Sequence, residues 1–335
     1  MRALVYRGPT DVVLEDVPPP TAGPGQVVIA VRWAGICGSD LTIFQGRHAR
    51  AKPPLVLGHE FAGLVAEVGP GVDDLAPGER VTAEPLLFCG RCPRCLAGDH
   101  HLCAGLGLYG IDAPGGFAEL VAVDRARVMR LPESLSLEHG ALVEPLAVGV
   151  HAARLSGLGL GERALVLGGG PIGLLTAQAA LAAGAAGVAV IEPSPHRRRS
   201  AQAMGLPVFD NAAMPSPERM VGGAEVDVVF EAAGRGSALD LAQRLVRRGG
   251  RVVVVGIHKQ PAALDAAGLT YGETRLIGSF CYRTEDFRAA LDLAAQGRIP
   301  LGAIVSHRLP LAEGSTAMAG LVAGGDAQKI LLGLE

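Results

Sequence analysis

The chain lacks a charge excess of either sign: 30 Lys and Arg stand against 33 Asp and Glu, for a formal net charge of −3. This gives no reason to expect nucleic acid or another polyanion as a partner. The one basic run, Arg197 to Arg199, reads first as a solvated helix face. An unbroken apolar stretch is also lacking. Residues 164–191, ALVLGGGPIGLLTAQAALAAGAAGVAVI, carry no charge, but Gly168, Gly169, Gly170 and Pro171 break them early, and Gly184 and Gly187 break them later. A membrane-spanning helix needs about 20 consecutive apolar residues, so no membrane role is expected. The opening residues, MRALVYRGPTDVVLEDV, are too polar for a signal peptide, which points to the cytoplasm. There is no repeat of fixed period and no low-complexity tail. Cysteine is scarce, with six in 335 residues. In a reducing compartment disulfides are not expected, which leaves the thiols for metal binding or catalysis.

What is present fits two globular domains. Hydrophobic residues make up 49% and charged residues 19%, which is not a disordered composition. The first 150 or so residues are rich in Gly and Pro. VVIAVRWAGI, FAGLVAEVG, RVTAEP and FAELVAV read as strands of an irregular, mainly antiparallel barrel or sandwich. Near residue 151 the rhythm changes, and β-rich runs begin to alternate with helical ones. ALVLGG precedes a helix over about 171–184, AVIEP one near 195–205 and VDVVFEAAG one near 236–248. RVVVVGI and LIGSF follow, then a helix near 284–297 and a last strand, KILLGL. This alternation predicts an α/β class with a doubly wound parallel sheet.

Gly168, Gly170 and Gly173 in GGGPIG satisfy the GxGxxG pattern, after an apolar strand and at the start of a helix. That context suits a dinucleotide: the glycines allow the backbone to approach a pyrophosphate, and the helix start offers free N–H groups. Glu192 ends the next strand, where a carboxylate accepts from ribose hydroxyls and repels the extra phosphate of NADP. NAD is therefore expected, although Arg197 to Arg199 could instead serve that phosphate.

Four of the cysteines crowd into CGRCPRCLAGDHHLC, at Cys89, Cys92, Cys95 and Cys103. Four thiolates close a tetrahedron around zinc and leave no open position, so such a site is structural. An iron–sulfur cluster uses the same ligands, and His100 or His101 could replace a cysteine. Cys37, His59, Glu60 and Glu144 form a scattered second set. One thiolate, one imidazole and one or two carboxylates suit a catalytic zinc that keeps a position open. Spacing alone does not assemble them.

In order along the chain, GICGSD, GHEFAG, the four-cysteine lobe, VEPLAV and GGGPIG resemble the zinc-dependent medium-chain dehydrogenases. The resemblance is to the polyol branch, with sorbitol, threonine and butanediol dehydrogenases, and it covers nearly the whole chain. It implies a GroES-like β-rich catalytic domain of residues 1–150 and 281–335, with a structural zinc lobe at about 84–107. A Rossmann domain, residues 151–280, is then inserted. The resemblance further implies a catalytic zinc on Cys37 and His59, with Glu60 or Glu144 binding directly and the other acting through water. Pro171, Ile172, Val255, Gly256, Ile257, Ser279 and Phe280 become cofactor contacts beside the glycines, Glu192 and Arg197. Ser39 resembles the hydroxyl that receives the substrate's proton. The implied reaction is hydride transfer between a secondary alcohol, polyol or cyclitol and NAD, in a homotetramer or a dimer, with zinc acting as a Lewis acid.

The sequence departs from its relatives at the outer end of the proton relay, where Thr42 replaces a histidine and cannot act as a base near neutral pH. Ile43 stands where sorbitol dehydrogenases carry a substrate-facing tyrosine, and Cys281-Tyr282 replaces an Arg-Tyr pair. Sorbitol itself is therefore not the expected substrate. An amino-alcohol dehydrogenase is the alternative of the same class, and a non-catalytic nucleotide-binding relative is the alternative of another. Cysteine, histidine, both glutamates and serine are intact, which argues against the latter and against a zinc-free quinone reductase.

Overall fold

The structure, a computed structural model, describes residues 1–223 and 225–334. It divides into two compact units. The first comprises Met1–Glu144, Ala294–Gln296 and Val305–Glu335, and the second Pro145–Leu293 and Gly297–Ile304. Among the described residues no helix is long and apolar enough to cross a membrane.

The first unit is built on a seven-stranded sheet. Its centre is the strand Gln26–Gly35, whose Val27, Val28, Ile29 and Val31 are all buried. Such a run of β-branched residues fits a pleated, packed surface. Glu60–Val68 pairs antiparallel along one side, and Lys329–Gly333 pairs with the end of the same strand. The register sets Gly35 opposite both Glu60 and Leu331. Cys37, His59, Glu60 and Lys329 are thereby brought to one end of the sheet. Gly35 is required there, because a Cβ on it would lie 2.1 Å from Glu60 Oε2.

The second unit carries a six-stranded sheet in the order Val208–Phe209, Gly187–Ile191, Arg163–Leu167, Val228–Glu231, Arg251–Val254 and Arg275–Gly278. Every pairing is parallel. The strand order reverses on either side of Arg163–Leu167. Ligands of open parallel sheets bind at such a reversal, outside the carboxyl ends of the strands. The doubly wound sheet expected from the alternation is thus present, with helices at Pro171–Ala182, Pro195–Ala203, Gly236–Leu245 and Thr284–Ala295.

The unit boundary differs from the sequence expectation. Residues 145–150, 281–293 and 297–304, expected with the first unit, belong to the second. Asp286 explains the middle stretch. Its carboxylate is fully buried, accepts from the Arg283 N–H at 3.0 Å and lies 2.7 Å from His151 Nδ1 and 2.6 Å from Arg154 Nε. The helix Thr284–Ala295 is therefore pinned to the helix that carries His151. Tyr282 is also fully buried, with its ring 5.7 Å from that of Phe287.

Burial pushes the Asp286 carboxyl up, but the His151 ring, the Arg283 N–H and Arg154 outweigh it and hold it below its usual value. A lowered carboxyl stabilises the fold above the unfolded value of about 3.9, and this contribution fades as pH falls through the folded value. Asp286→Ala should cost about 1–3 kcal/mol at pH 7, because the buried His151 ring and the Arg283 N–H lose their partner. Urea unfolding should show this difference, and the gap between wild type and variant should close as the pH is taken below about 4.

Candidate functional site

Cys37, His59 and Glu60 bring a sulfur, a ring nitrogen and a carboxylate oxygen within 4.8 Å of one another. Cys37 stands just before the helix Gly38–Phe44, and its N–H donates to Asp40 Oδ2 at 2.8 Å. His59 stands just before the strand Glu60–Val68, and Glu60 begins it. Ser39 Oγ lies 3.4 Å from His59 Nε2. Glu144, the second residue of the helix Val143–Ser156, is buried and adds to the negative field on His59, although it falls outside the group of three. Of the four expected ligands, three are brought together and the fourth stands nearby. Thr42 Oγ1 donates to the Gly38 carbonyl at 3.0 Å, an ordinary i−4 bond that commits its hydroxyl to the helix.

Two residues of this centre escaped the sequence reading. Asp40 is fully buried, and its Oδ1 is 3.8 Å from His59 Nδ1. An acid three residues after a helix-capping position was the available signal. Lys329 is nearly fully buried and donates to Glu60 Oε1 at 2.7 Å, to Oε2 at 2.6 Å and to the Ile36 carbonyl at 3.0 Å. Nothing in KILLGL ties that lysine to Glu60, 269 residues away.

The charges explain what the centre can hold. Burial raises the Asp40 carboxyl, and the His59 charge opposes it only in part. Burial alone would lower His59, yet the Cys37 sulfur, Asp40 and Glu144 hold it well above its ordinary value. Lys329 is likewise raised against its burial, by Glu60 and Cys37. The centre thus carries more negative than positive groups, and His59 Nδ1 is buried without a hydrogen-bond partner. A divalent cation with sulfur, nitrogen and oxygen ligands fits this donor set.

The cysteine lobe is a different kind of site. Cys89, Cys92, Cys95 and Cys103 have Sγ–Sγ separations of 3.5, 3.6, 4.0 and 4.0 Å across four pairs. A tetrahedron with zinc–sulfur bonds of about 2.3 Å has edges of roughly 3.8 Å. The Cys95 and Ala104 N–H groups push the Cys92 thiol down to about 6, while burial pushes Cys95 up to about 12. The lobe is braced by Phe88, stacked on His100 at 3.9 Å and covered by the Arg127 guanidinium at 3.7 Å. His100 is thereby occupied in packing.

In the second unit the glycine loop lies at the strand-order reversal. Gly168 has φ +108°, and a Cβ there would meet the Ala233 N at 3.0 Å. A Cβ on Gly173 would lie 1.9 Å from the Gly168 carbonyl oxygen. Gly170 caps the helix that Pro171 and Ile172 begin. The open backbone N–H groups of this twelve-residue helix suit a pyrophosphate. Glu192 is buried and accepts from the Gly169 N–H at 2.7 Å and the Ser194 N–H at 2.8 Å. It therefore builds the loop. The Arg197 guanidinium approaches to 3.8 Å from where a Cβ of Gly170 would be. Val255 and Gly256 donate their N–H groups to the Glu231 carbonyl at 2.8 Å, and Ile257 beside them is 79% exposed. Ser279 follows the last strand with its N–H on the Val254 carbonyl, and Phe280 is half exposed next to it.

Comparison with known proteins agrees with both units. Residues 23–133 match the alcohol dehydrogenase GroES-like domain, and residues 171–296 match the zinc-binding dehydrogenase domain. A 2-dehydro-3-deoxy-L-galactonate 5-dehydrogenase from Pseudoalteromonas atlantica is 38% identical, over 92% of this chain and 91% of its own length. An (R,R)-butanediol dehydrogenase from Bacillus subtilis is 35% identical, over 93% of each. Among solved structures, a protein of Sinorhizobium meliloti with NADP bound superposes with a TM-score of 0.93 at 36% identity, covering 99% of both chains.

A closed and an open site should respond oppositely to loss of one thiol. Metal analysis should find two zinc ions per chain, and Cys89→Ser and Cys37→Ser should each lose one. The melting temperature should drop sharply in Cys89→Ser alone, while Cys37→Ser keeps its circular dichroism spectrum. One zinc in the wild type, or iron–sulfur absorbance, would contradict this.

Proposed function

The chain belongs to the zinc-binding dehydrogenases with an alcohol dehydrogenase GroES-like domain, and from that premise we propose that it oxidises a secondary hydroxyl of a polyol with NAD at the Cys37–His59–Glu60 centre. The observation that carries this reading is the mixed thiolate, imidazole and carboxylate set in one unit, with a dinucleotide loop in the other. Cys37 and His59, with Glu60 or Glu144, would hold a zinc that would supply Lewis acidity toward the alcohol oxygen, and bound NAD would supply the hydride acceptor. Ser39 Oγ, beside His59, receives the hydroxyl proton. Thr42 is committed to the Gly38 carbonyl and holds no proton as an imidazole would, so the proton passes to water. Asp40 steadies Cys37 through its N–H and faces His59. Lys329 orients Glu60.

Glu192 supports NAD over NADP, because its buried carboxylate repels a phosphate on the ribose it faces. Cys89, Cys92, Cys95 and Cys103 hold the second zinc and brace the lobe. Free thiols of this kind persist in a reducing compartment, which supports a place in the cytoplasm.

An open edge of the parallel sheet supports assembly into a dimer or tetramer. Among the described residues the strand Arg275–Gly278 has no neighbour on its outer side; Leu276 on it is exposed, and Tyr271 just before it is 80% exposed. An open, apolar edge is a template for another strand, and a second copy of the same edge across a two-fold axis would cover it. Light scattering should give a dimer or tetramer, and Leu276→Lys with Tyr271→Glu should give smaller particles. A monomeric wild type would refute this.

The deciding experiment is NAD reduction over polyols, diols, inositols, amino alcohols and threonine. Sugar acids belong in the panel because the galactonate relative acts on one. Turnover should need zinc and favour NAD, and Glu192→Ala should narrow the NAD-to-NADP ratio. A zinc-replete protein that binds NAD and oxidises nothing would be a nucleotide-binding relative instead.

A further inference from the structure

The segment that joins the two metal ligands carries charge of one sign only. From Leu41 to Gly58 the sequence LTIFQGRHARAKPPLVLG holds Arg47, His48, Arg50 and Lys52 and no carboxylate. The helix Gly38–Phe44 leads away from Cys37, and the short strand Leu55–Val56 leads back to His59. Both ends of the basic loop are therefore fixed at the same centre. Seven helical residues rise about 10 Å, so the loop starts roughly that far from Cys37.

The loop is an ordered one. The Arg47 N–H donates to the Thr42 carbonyl at 3.0 Å. His48 Nδ1 accepts from the Arg50 N–H at 3.4 Å and the Ala51 N–H at 3.3 Å. A ring that accepts at Nδ1 carries its proton on Nε2 and presents a donor there. Burial, then the Arg50 charge, hold His48 below its ordinary value, so it stays in that neutral form, and it also feels the charge of His59. Arg50 is committed to the Leu106 carbonyl and lies 3.3 Å from Asp112. Arg47 and Lys52 are exposed and, among the described residues, have no ion-pair partner. The interior of the centre has the opposite sign, with Asp40, Glu60 and Glu144 buried around Cys37 and His59. The carboxylate end of a substrate is better received at the basic loop than beside Asp40, Glu60 and Glu144.

We propose that the substrate is a polyhydroxy carboxylate, held through its carboxylate by Arg47, His48 and Lys52, and oxidised at a secondary hydroxyl several carbons away. This rests on the dehydrogenase reading above and adds no chemical step to it. The carbon bearing the hydroxyl gives its hydride to NAD and its hydroxyl proton to solvent, and the carboxylate is unchanged.

The test measures NAD reduction by the zinc-loaded enzyme on three matched substrates: an aldonate, the alditol of the same configuration and that alditol's phosphate ester. The aldonate should exceed the alditol in kcat/KM by tenfold or more. The gain should lie in KM, as expected for uniform binding, and should shrink with added salt. In the double variant Arg47→Gln, Lys52→Gln the aldonate-to-alditol ratio should fall about tenfold, the order expected for hydrogen bonds to charged groups. Arg47→Lys should keep most of the ratio, and Arg248→Gln, an exposed arginine of the second unit, should keep all of it. Equal use of alditol and aldonate, or a ratio indifferent to the double variant, overturns the proposal while leaving the dehydrogenase standing. Preference for the phosphate ester overturns the carboxylate assignment. No NAD reduction by any alcohol overturns the dehydrogenase reading and this one with it.

Discussion

A single buried ammonium holds the centre of the first unit together. Lys329 joins both oxygens of Glu60 and the carbonyl of Ile36. Three segments distant in sequence meet at that nitrogen: the chain just before Cys37, the strand that follows His59, and the final strand. Removing a lysine and a carboxylate from water costs several kcal/mol per ion, so such a pair is weak evidence of stability. What it contributes is placement. With both oxygens engaged, Glu60 has one orientation beside Cys37 and His59, and the last strand is tied into the sheet that carries them. Gly35 leaves room for that carboxylate, and any side chain there would displace it.

Charge in the first unit is sorted by depth. The buried groups around Cys37 and His59 are mainly acidic, and Lys329 balances only part of them. That excess suits a divalent cation. The loop outside it is basic without exception. The cysteine lobe is organised on another principle: four sulfurs at near-tetrahedral spacing leave no position for a substrate. One lobe therefore has a structural site, while the other centre keeps mixed ligands and open chemistry.

Much of this was legible in the sequence, and the exceptions have physical causes. Local patterns carried the parallel sheet, since buried apolar strands alternate with helices and a glycine turn marks the strand-order reversal. The cysteine lobe was legible because its ligands lie within fifteen residues. The scattered centre was assembled only through family resemblance, because sheet register, not spacing, brings Cys37, His59 and Glu60 together. Lys329 and Asp40 stayed hidden for the same reason: their partners are set by tertiary structure. The unit boundary was misplaced because the ion cluster at Asp286 joins helices that lie 135 residues apart. That Glu192 braces the glycine loop was likewise invisible, since only the folded loop brings Gly169 onto its carboxylate.

The central claim is that two chemically distinct zinc sites share the first unit, one closed by thiolates and one with mixed ligands. X-ray absorption at the zinc edge of the purified protein tests it most directly. The account predicts two shells of neighbours, sulfur at about 2.3 Å and nitrogen or oxygen at about 2.0–2.2 Å. Cys37→Ser should leave a spectrum of sulfur alone. A wild-type spectrum that sulfur alone explains would contradict the mixed-ligand centre and the catalysis assigned to it.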